Sequence, residues 1–262
     1  MTDELFSVAN QVVLVSGGSR GIGRAIAAAF AERGAQVVIT GREAETLEKT
    51  ASEISRGPLP AQYVLCDVSK VDEIQRMAAT VYERFGRVDT LVNVAGVNKR
   101  KRAETFSPDE YDFILDINLR GLFFLSQEVG KRMIPHKKGA IINIDSLNTY
   151  SPLKGVLPYA MSKAGVSMLT RGLAAEWGEH GIRVNGLAPG FILTDLTNKL
   201  WSNPKMQAWN ASVCPQKRLG NVEDLVGTAI FLASKASAFM TGQTLYVDGG
   251  ISAGTLWPIE LE

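Results

Sequence analysis

The fold is decided by residues 12 to 34, VVLVSGGSRGIGRAIAAAFAERG, in which a short apolar run leads through glycines into a helix-period segment. The first five residues are apolar on both alternations, which predicts a strand covered on both faces. Gly17, Gly21 and Gly23 lie where the chain must turn and a helix must begin. The apolar residues that follow recur at spacings of three and four, and Gly34 is the expected C-terminal cap. The stretch therefore predicts a strand, a tight turn and a helix.

The same alternation of strand and helix continues to about residue 250, with no linker or low-complexity stretch. Six further β-branched runs predict strands at residues 36–40, 62–66, 90–94, 140–144, 182–187 and 244–247. Strands and helices that alternate along one chain form a parallel, doubly wound sheet. We therefore expect an α/β protein, a single domain over residues 1–262, with a seven-stranded parallel sheet and helices on both faces.

Composition narrows the range of partners. With 262 residues, 45% of them hydrophobic, the chain is long enough for one large α/β domain. The 28 Lys and Arg nearly balance 27 Asp and Glu, which gives no argument for nucleic acid or membrane partners. Two cysteines and two histidines predict neither a disulfide framework nor a metal site. The acidic start and the lack of a long apolar run lead us to expect a cytoplasmic protein with a small-molecule ligand.

The glycine turn has the form of a nucleotide site. Glycines let a backbone approach a pyrophosphate closely, and the helix N-terminus offers free N–H groups and a positive dipole. The alternative is merely a tight turn, but the required strand and helix flank the pattern. The residues expected to bind the cofactor here are Gly17, Ser19, Arg20, Gly21, Ile22 and Gly23.

The end of the second predicted strand, VVITGREAETLEK at residues 37–49, indicates which cofactor is used. Sites that prefer NAD usually carry an Asp or Glu here, which bonds the ribose 2′-hydroxyl and would repel the 2′-phosphate of NADP. This chain has Arg42 instead, with Arg20 available from the glycine turn. Two guanidinium groups suit a phosphate dianion, so we expect NADP(H), the alternative being that Arg42 is an ordinary surface arginine.

The stretch LPYAMSK, residues 157–163, places Tyr159 and Lys163 four residues apart, on one face of a predicted helix. A phenol has an ordinary pKa near 10 and is a poor acid or base at neutral pH. A neighbouring cation favours the phenolate and lowers that pKa. Taken alone, the pair is either such an activated tyrosine or a chance pair on a solvated face.

Together these features resemble the short-chain dehydrogenase/reductase family over nearly the whole chain, and that family has a Rossmann fold. The glycine pattern of SGGSRGIG, the NVAG of residues 93–96, the YAMSK of residues 159–163, APGFILT of residues 188–194 and VDGG of residues 247–250 occur in family order. Two positions depart from the family pattern. Ser16 replaces the usual leading threonine, and Val94 replaces the second asparagine of the Asn-Asn-Ala-Gly motif.

The resemblance implies a catalytic tetrad of Asn118, Ser146, Tyr159 and Lys163. Tyr159 would exchange a proton with the substrate oxygen while hydride moves to or from C4 of the nicotinamide. Lys163 would lower the tyrosine pKa and bond the nicotinamide ribose, and Ser146 would hold the substrate oxygen. Asn118 would support a water that links Lys163 to solvent.

The resemblance also implies the rest of the cofactor site. Asp67 and Val68 would lie against the adenine, and the loop that follows the fourth strand would border the cofactor. The backbone of Ile192 and the hydroxyl of Thr194 would meet the nicotinamide carboxamide. The cofactor residues added in this way are Asp67, Val68, Asn93, Ala95, Gly96, Tyr159, Lys163, Pro189, Gly190, Ile192 and Thr194.

Three regions bear on the substrate, and each leaves an alternative open. The basic run NKRKR, residues 98–102, would attract an anionic substrate or is a solvated loop. Asn148 would bond a hydroxylated substrate or only begin a turn. Residues 191–217, which include Trp201 and Trp209, form a mobile lid or a packed helical hairpin without a gating role.

Within the family, the segments LFSVANQVVLVSGG and NKRKRAETFSPDEYDFILDINLRGLFF, and the Asn-Pro of the lid that is followed by a tryptophan, resemble gluconate 5-dehydrogenases and 2-deoxy-D-gluconate 3-dehydrogenases. This resemblance implies an NADP(H)-dependent oxidoreductase acting on a sugar acid or polyol. A 3-oxoacyl-acyl-carrier-protein reductase is the alternative enzyme, because a basic loop also suits an acidic carrier protein. A non-catalytic NADP-binding regulator is the alternative from another class.

The family commonly forms tetramers, so the resemblance implies a homotetramer built on the helices that carry Asn118 and Tyr159 and on the last strand. The apolar tail of residues 250–262 fits this expectation, because large apolar groups at a chain end have little reason to be exposed. We expect Trp257 to pack against a neighbouring subunit or the lid, and the alternative is that it packs on its own sheet.

Overall fold

The computed structural model describes residues 4–257 and 259 of the chain. Within these residues, seven strands form a single, entirely parallel sheet. In chain order the strands are β1 (Val12–Ser16), β2 (Gln36–Gly41), β3 (Gln62–Leu65), β4 (Thr90–Asn93), β5 (Gly139–Ile144), β6 (Ile182–Pro189) and β7 (Thr244–Val247). Every strand coincides with a run that predicted it to within two residues, so the predicted doubly wound sheet is confirmed.

Helices connect the strands, as the apolar spacing of three and four predicts. They are α1 (Gly21–Glu32), α2 (Ala44–Ile54), α3 (Val71–Phe85), α4 (Pro108–Leu115), α5 (Leu122–Met133), α6 (Leu157–Trp177), α7 (Asn198–Trp201), α8 (Pro204–Val213) and α9 (Val226–Ala233). Gly34 follows α1 with φ of +81°, and Gly86 caps α3 with φ of +73°. In this left-handed region a side chain would be strained, which is why glycine ends both helices.

The order of the strands opens a crevice at one edge of the sheet. Across the sheet the order is β3-β2-β1-β4-β5-β6-β7, so the chain moves outward from β1 and then returns to the other side of β1. Where the connections that follow two neighbouring parallel strands run in opposite directions, a crevice forms above the carboxyl ends of those strands. Ser16 and Asn93 are paired at the ends of β1 and β4, so the loops that follow them form its walls.

The core has two layers, one on each face of the sheet. Val13 and Val15 of β1 face a cluster formed with α1, α2 and α9, whereas Leu14 faces a cluster formed with α3, α5 and α6. Successive strand side chains point to opposite faces, so both alternations of β1 must be apolar. Phe30 is fully buried in the first layer and Leu125 in the second, which fixes helices on both faces.

The two edge strands depart from the prediction that every strand is buried on both faces. All four residues of β7 are only partly buried, and Leu65 at the end of β3 is 50% exposed. An edge strand has one neighbour and incomplete helix cover, so an apolar run can lie there without full burial.

A local irregularity lies between α4 and α5. Residues 116–121 form a π-helical turn that carries Asn118, and α4 begins with a capping box between Ser107 and Glu110. A π-helical turn inserts an extra residue into a helix and is found mostly at functional positions. Here the turn places the Asn118 side chain in the interior, fully buried.

Two further features complete the fold. In the described part of the chain no helix is long and apolar enough to cross a bilayer. The tail after β7 exposes Leu256 by 43%, Trp257 by 72% and Ile259 by 47%. The alternative that Trp257 packs on its own sheet is therefore wrong.

Candidate active site

The structure brings the four predicted tetrad residues to one place. Ser146 lies two residues after the end of β5, and Tyr159 and Lys163 lie in the first two turns of α6. The Tyr159 and Ser146 side chains are hydrogen-bonded, and Lys163 Nζ lies 5.7 Å from the centre of the Tyr159 ring. Asn118 Nδ2 donates to Ser162 Oγ on α6 at 3.1 Å. Ser162 is the residue before Lys163, so this bond connects Asn118 to the same part of α6.

The Ser146 hydroxyl is oriented by its own loop. Its Oγ accepts from both Asn148 N and Asn148 Nδ2 at 3.2 Å. A hydroxyl has two acceptor positions and one donor, so Ser146 is left with its O–H as a donor; in this structure that O–H is directed at Tyr159, and a substrate oxygen would take the same place. Asn148 Oδ1 accepts from Leu153 N at 3.0 Å, which ties the amide to the following turn. Asn148 thus both shapes the turn and orients Ser146, a combination that neither sequence alternative described.

The pKa of Tyr159 results from opposing influences. Burial raises the pKa of Tyr159 above its ordinary value, and the hydrogen bond with Ser146 lowers it. Among nearby charges, Asp145 raises this pKa and Arg100 lowers it. Lys163 is not among the groups that lower the pKa of Tyr159 in this structure, contrary to the expectation from the four-residue spacing.

Lys163 is instead bonded to the sheet. It is 4% exposed, and its Nζ donates to the carbonyl of Ile144, the last residue of β5, at 2.6 Å. Burial lowers the pKa of Lys163 to about 8, and the charge of Asp145 opposes this shift. The ammonium form is therefore favoured only narrowly at neutral pH.

The Asn118 side chain fixes the loop that follows β4. Its Oδ1 accepts from Val97 N at 2.8 Å, and its Nδ2 donates to Val97 O at 2.9 Å and to Ser162 Oγ. Both N–H donors of the amide are occupied by these protein groups, and Oδ1 keeps one acceptor position. The role of Asn118 in holding a water stays a prediction.

The glycine turn has the shape that a pyrophosphate needs. Gly17 has φ of +67°, and a Cβ there would lie 2.8 Å from the backbone of Ala95. A Cβ on Gly23 would overlap the carbonyl of Gly17. The N-terminus of α1 follows, and Arg20 at its N-cap makes no side-chain capping bond. Uncapped N–H groups beside a bare backbone fit an anionic group, so the residues present fit a dinucleotide.

The loop after β4 is held by residues whose side chains do not face the crevice. Asn93 is 2% exposed, and its Nδ2 donates to Ser126 Oγ at 3.0 Å and Asn143 Oδ1 at 2.8 Å. Ser16 Oγ accepts from Val94 N at 3.1 Å and Ala95 N at 3.4 Å. Ser16 thereby keeps the glycine turn and this loop together, and Asn93 can border a cofactor only through its backbone. The departure at Val94 does not disturb these bonds.

Two exposed arginines lie at the edge where the glycine turn meets β2. The backbone N–H groups of Gly17 and Gly18 donate to the carbonyl of Thr40 at 2.9 and 3.3 Å, which joins the turn to the end of that strand. Arg20 and Arg42 follow on the two segments, and neither forms an ion pair within the described residues.

Asp67 follows the edge strand β3 on the same side of the sheet. Its Oδ1 accepts from Ser69 N at 3.0 Å and Ser69 Oγ at 2.8 Å, and its backbone N–H donates to Glu73. These bonds shape the turn into α3 and bring the backbone of Val68, which is buried, over the edge of the crevice. A Cβ on Gly121 would overlap the Val68 carbonyl, which shows how closely that helix approaches.

The segment after β6 faces the glycine turn. The N–H of Gly190 donates to Val247 O at 3.0 Å, and a side chain on Gly190 would clash with Asp248. The methyl group of Thr194 lies 3.6 Å from the position of a Cβ on Gly21. Thr194 therefore lies beside the glycine turn, and Ile192, two residues earlier, is buried. The contact of Ile192 and Thr194 with the nicotinamide stays a prediction.

The predicted lid is a short helical hairpin. Phe191 packs between Trp201 of α7 and Trp209 of α8, with ring centres 5.1 and 5.2 Å apart. Trp201 is buried and Trp209 is 37% exposed. The apolar underside predicted from the sequence is present, and it rests on the residue that starts the segment.

The basic run after β4 divides into two groups with different surroundings. Lys99 and Lys101 both contact Glu110 of α4, at 3.5 and 2.7 Å. These contacts and the capping bond to Ser107 lower the pKa of Glu110 to about 2, Lys101 being the largest cause. Arg100, between the two lysines, is exposed and has no ion-pair partner among the described residues, yet its charge reaches Tyr159.

A cavity of about 460 Å³ lies away from the predicted tetrad. It is bounded by the end of β7, the base of the hairpin and the Arg218–Asp224 ion pair. No tetrad residue lines it, and Ile192 is the one predicted cofactor residue on its wall. The shape of this cavity therefore does not coincide with the site predicted at Ser146 and Tyr159.

Two residues beside the predicted tetrad were missed by sequence reasoning. Asp145 precedes Ser146 and is 2% exposed, and Ser162 accepts from Asn118. The basic run of residues 98–102 was a predicted candidate, but the sequence did not indicate that Arg100 is the member whose charge bears on the pKa of Tyr159. A signal existed for Asp145, because an acidic residue directly after an apolar strand is unusual in a buried position. No local pattern distinguishes Arg100 from its neighbours.

A parallel doubly wound sheet, a glycine turn at a helix N-terminus and a partly buried tyrosine with a buried lysine beside a serine are the features of a dinucleotide-binding oxidoreductase. Comparison with known families makes this specific. The chain belongs to the short-chain dehydrogenase/reductase family: residues 17–252 match the family model adh_short_C2, described as Enoyl-(Acyl carrier protein) reductase.

Known proteins similar to the chain include a gluconate 5-dehydrogenase of Gluconobacter oxydans, 40% identical, with 95% of this chain and 97% of that protein aligned. A 3-oxoacyl-[acyl-carrier-protein] reductase of Staphylococcus epidermidis is 38% identical, with 92% and 99% aligned. Among solved structures, a gluconate 5-dehydrogenase from Burkholderia cenocepacia in complex with NADP and tartrate superposes with a TM-score of 0.93. It is 36% identical and aligns over 96% of this chain and 99% of that one.

These relatives confirm the family and the fold that the motifs predicted. The protein is an oxidoreductase of the class that acts on CH–OH groups, and its family binds a nicotinamide cofactor.

Proposed function

We propose that the protein is an NADP(H)-dependent oxidoreductase that transfers hydride between nicotinamide and the carbonyl or secondary alcohol of a sugar acid, with a gluconate-type substrate favoured. The observation that carries the substrate class is an exposed cation, Arg100, in the loop that follows β4, without an ion-pair partner among the described residues. A cation in a loop that borders the proposed cofactor site can pair with a carboxylate on the substrate.

The chain's own residues supply acid–base and positioning chemistry, and a bound nicotinamide cofactor would supply or accept hydride. Tyr159 gives a proton to the carbonyl oxygen in reduction and takes one from the hydroxyl in oxidation. Ser146 donates to the same oxygen, because Asn148 occupies both of its acceptor positions. Lys163 holds the nicotinamide ribose through its ammonium group.

The wider cofactor site follows from the crevice at the carboxyl ends of β1 and β4. The glycine turn would hold the pyrophosphate, and the region of Asp67 and Val68 would hold the adenine. The loop that contains Ala95 and Gly96 and the segment of Pro189, Gly190, Ile192 and Thr194 would border the nicotinamide half.

A preference for NADP(H) is supported by Arg20 and Arg42. Both are exposed at the edge where the 2′-phosphate would lie, and neither is engaged by a carboxylate among the described residues. No acidic side chain follows β2 at the position that would bond a ribose hydroxyl, because Thr40, Gly41 and Arg42 lie there. The NADP in the Burkholderia structure agrees with this assignment.

The substrate class is argued from the basic run. Glu110 pairs with Lys99 and Lys101, and Arg102 lies 4.0 Å from Glu104, so Arg100 is the basic residue of the run without an ion-pair partner among the described residues. Its planar guanidinium can bind a carboxylate through two parallel hydrogen bonds. Tartrate, in the Burkholderia complex, is a hydroxy acid of the same chemical class.

The hairpin of α7 and α8 is proposed as the lid, because it begins at the segment that borders the cofactor. A homotetramer is proposed as the assembly. Exposed apolar side chains on α5 and α6 support it, namely Phe123, Met161 and Met168, together with Trp257 in the tail. A soluble monomer would gain nothing from such a set of exposed side chains, and a subunit interface would bury them.

The test is a screen for cofactor oxidation or reduction at about 340 nm, with sugar acids, keto-sugar acids, uncharged polyols and 3-oxoacyl thioesters, each with both cofactors. We expect turnover of an acid, with NADP(H). Arg100→Gln should raise KM for the acid by about tenfold, since about 1.4 kcal/mol of a charge-assisted contact is lost, and should leave KM for an uncharged polyol nearly unchanged. Arg102→Gln is the matched control, because Arg102 is 83% exposed and lies by Glu104.

A 3-oxoacyl-acyl-carrier-protein reductase is the second candidate, supported by the Staphylococcus relative and by the basic run. The screen separates the two. Faster turnover of 3-oxoacyl thioesters than of any sugar acid would replace the first proposal by the second. Binding of cofactor without turnover of any compound would favour the non-catalytic regulator, against which the retained Tyr159 and Lys163 argue.

A further inference from the structure

A buried carboxylate lies next to the predicted catalytic serine, and no role described so far uses it. Asp145 follows β5 and is 2% exposed. Its Oδ1 accepts from Ser146 N at 2.9 Å and from Thr149 Oγ1 at 2.5 Å. Its Oδ2 is buried and has no hydrogen-bond partner within the described residues. A buried carboxylate oxygen left without a donor is costly unless a charge compensates it.

A buried cation lies close by. Lys163 is the one lysine or arginine among the buried side chains of the described chain, and its Nζ bonds the carbonyl of Ile144, the residue before Asp145. The only buried acids in the same set are Asp145 and Asp248, and both oxygens of Asp248 accept backbone N–H groups after β7. Asp145 is therefore the buried anion available to Lys163.

The Asp145 carboxylate and the Lys163 ammonium group interact electrostatically without direct contact. No ion pair within 4.0 Å joins them, although each shifts the pKa of the other in the direction expected for opposite charges. A direct salt bridge would occupy the donors of the ammonium group. At this larger separation Lys163 keeps its remaining N–H donors for other acceptors, while the attraction still favours its charged form.

We propose that Asp145 is a positioning residue for this reaction: its ionised carboxylate is the counter-charge that keeps Lys163 in the ammonium form, and it thereby sets the pH range in which the site works. The proposal rests on the proposed function only for its consequence in catalysis. The state of Lys163 itself can be measured without any substrate.

The surroundings of Asp145 determine the sign of the expected change. Lys163 and Tyr159 face it from α6, and Tyr246 faces it from β7. Burial raises the pKa of Asp145, whereas the Thr149 hydrogen bond, the charge of Lys163 and the Ser146 N–H lower it. A negative charge raises the pKa of every neighbouring group. Removing it must therefore move the titrations of Lys163 and Tyr159 in the same direction, to lower pH.

The decisive variant is Asp145→Asn, which removes the charge and keeps an acceptor for Thr149 and Ser146. Trace acetylation of the cofactor-free protein with acetic anhydride, quantified for each lysine by mass spectrometry over a range of pH, gives the pKa of Lys163 even though the side chain reacts slowly. We expect its midpoint to fall by about one pH unit, as for loss of a unit charge a few ångström beyond contact distance. Lys199, which is exposed, is the internal reference and should not move.

The matched control is Thr149→Val. It removes the 2.5 Å hydrogen bond to Asp145 and leaves the charge, so the Lys163 midpoint should stay within about 0.3 pH units of that of the wild type. If Asp145 only shaped the loop, both variants would lower the melting temperature alike and neither would move the midpoint. That result would overturn the proposal. Should Asp145→Asn not fold, Asp145→Ala replaces it, and failure of both would count against the proposal by showing a purely structural role.

The consequence for catalysis is measured on the enzyme with NADP and its alcohol substrate. Oxidation needs the Tyr159 phenolate and the Lys163 ammonium, so both limbs of the pH profile of kcat should shift to lower pH in Asp145→Asn. If the acetylation midpoint shifts but no substrate is turned over, the proposed function is wrong and the role of Asp145 as the counter-charge of Lys163 is supported. If turnover is found but neither the midpoint nor the pH profile moves, the proposed role of Asp145 is wrong.

Discussion

Replacing Arg42 by aspartate tests the cofactor assignment most directly. The change removes a guanidinium and adds a carboxylate where β2 ends, next to the joined glycine turn. The 2′-phosphate of NADP would lose a charge-assisted hydrogen bond and gain a repulsive neighbour. The same carboxylate can accept a hydrogen bond from the 2′-hydroxyl of NAD.

The magnitude follows from the exposure of the side chain. Arg42 is exposed, so each unit charge at about 4 Å contributes only about 1 kcal/mol, reduced further by salt. A hydrogen bond to a charged group contributes about 1.5 to 3 kcal/mol. Together these give about 2 to 4 kcal/mol, or roughly a 30- to 700-fold weaker Kd for NADPH. NADH binding should stay the same or improve.

Fluorescence titration of the cofactor-free protein with NADPH and NADH measures both Kd values without a substrate. Arg24→Asp is the matched control, because Arg24 lies in the first turn of α1, directly after the glycine turn, but pairs with Glu53 at 2.8 Å. It should change the ratio of the two Kd values by less than threefold. An unchanged ratio in Arg42→Asp would refute the reasoning and would mean that Arg42 does not meet the 2′-phosphate.

Four other predictions follow from the site and the surface. Tyr159→Phe should abolish turnover and leave NADPH affinity nearly intact, whereas Lys163→Ala should damage both; activity in Tyr159→Phe would contradict the assignment. Asn148→Ala should lower kcat by about 10- to 100-fold with a smaller effect on KM, because Ser146 loses both orienting bonds; an unchanged kcat in steady-state assays would show that the bonds are idle. Gly23→Ala should weaken binding of both cofactors alike, since its Cβ overlaps the glycine turn, and a titration with selective loss would count against this. Deleting residues 255–262 should reduce the assembly measured by light scattering, and an unchanged tetramer, or a wild-type monomer, would exclude this role.

Gly17 and Gly23 show what the sequence alone reveals. Gly17 needs a positive φ and Gly23 has no room for a Cβ, and both requirements are local because the glycine itself meets them. The flanking strand and helix are encoded by periods of two and 3.6, which a short window reveals. For this reason the sheet, the glycine turn and the family membership could be predicted before any contact was known.

The basic run shows where such prediction stops. Residues 99 to 102 are four consecutive basic side chains, and the sequence treats them alike. Folding places Glu110 against Lys99 and Lys101 and leaves Arg100 to act on Tyr159. Which member faces the site depends on the loop path and on a helix that begins several residues later.

Lys163 shows the same limit for electrostatics. The sequence predicts correctly that Lys163 lies one helical turn from Tyr159, and from this it infers that the lysine lowers the tyrosine pKa. In the structure the lysine is buried, bonds the end of β5, and has its own pKa lowered to about 8. Spacing determines which side chains share a helix face, but a pKa depends on burial and on charges from every element packed around it.

The amino-acid sequence by itself determined the strands, the helices and the nucleotide turn, because each is encoded in residues close together in the chain, and the predicted tetrad came from motifs that match the family in order. Only the tertiary structure decided that Asn148 orients Ser146, that Arg100 is the member of the basic run without an ion-pair partner among the described residues, and that Asp145 is the buried acid whose charge acts on Lys163. Exposure and hydrogen-bond partners arise only when distant segments pack together, and they set the charge state on which proton transfer depends.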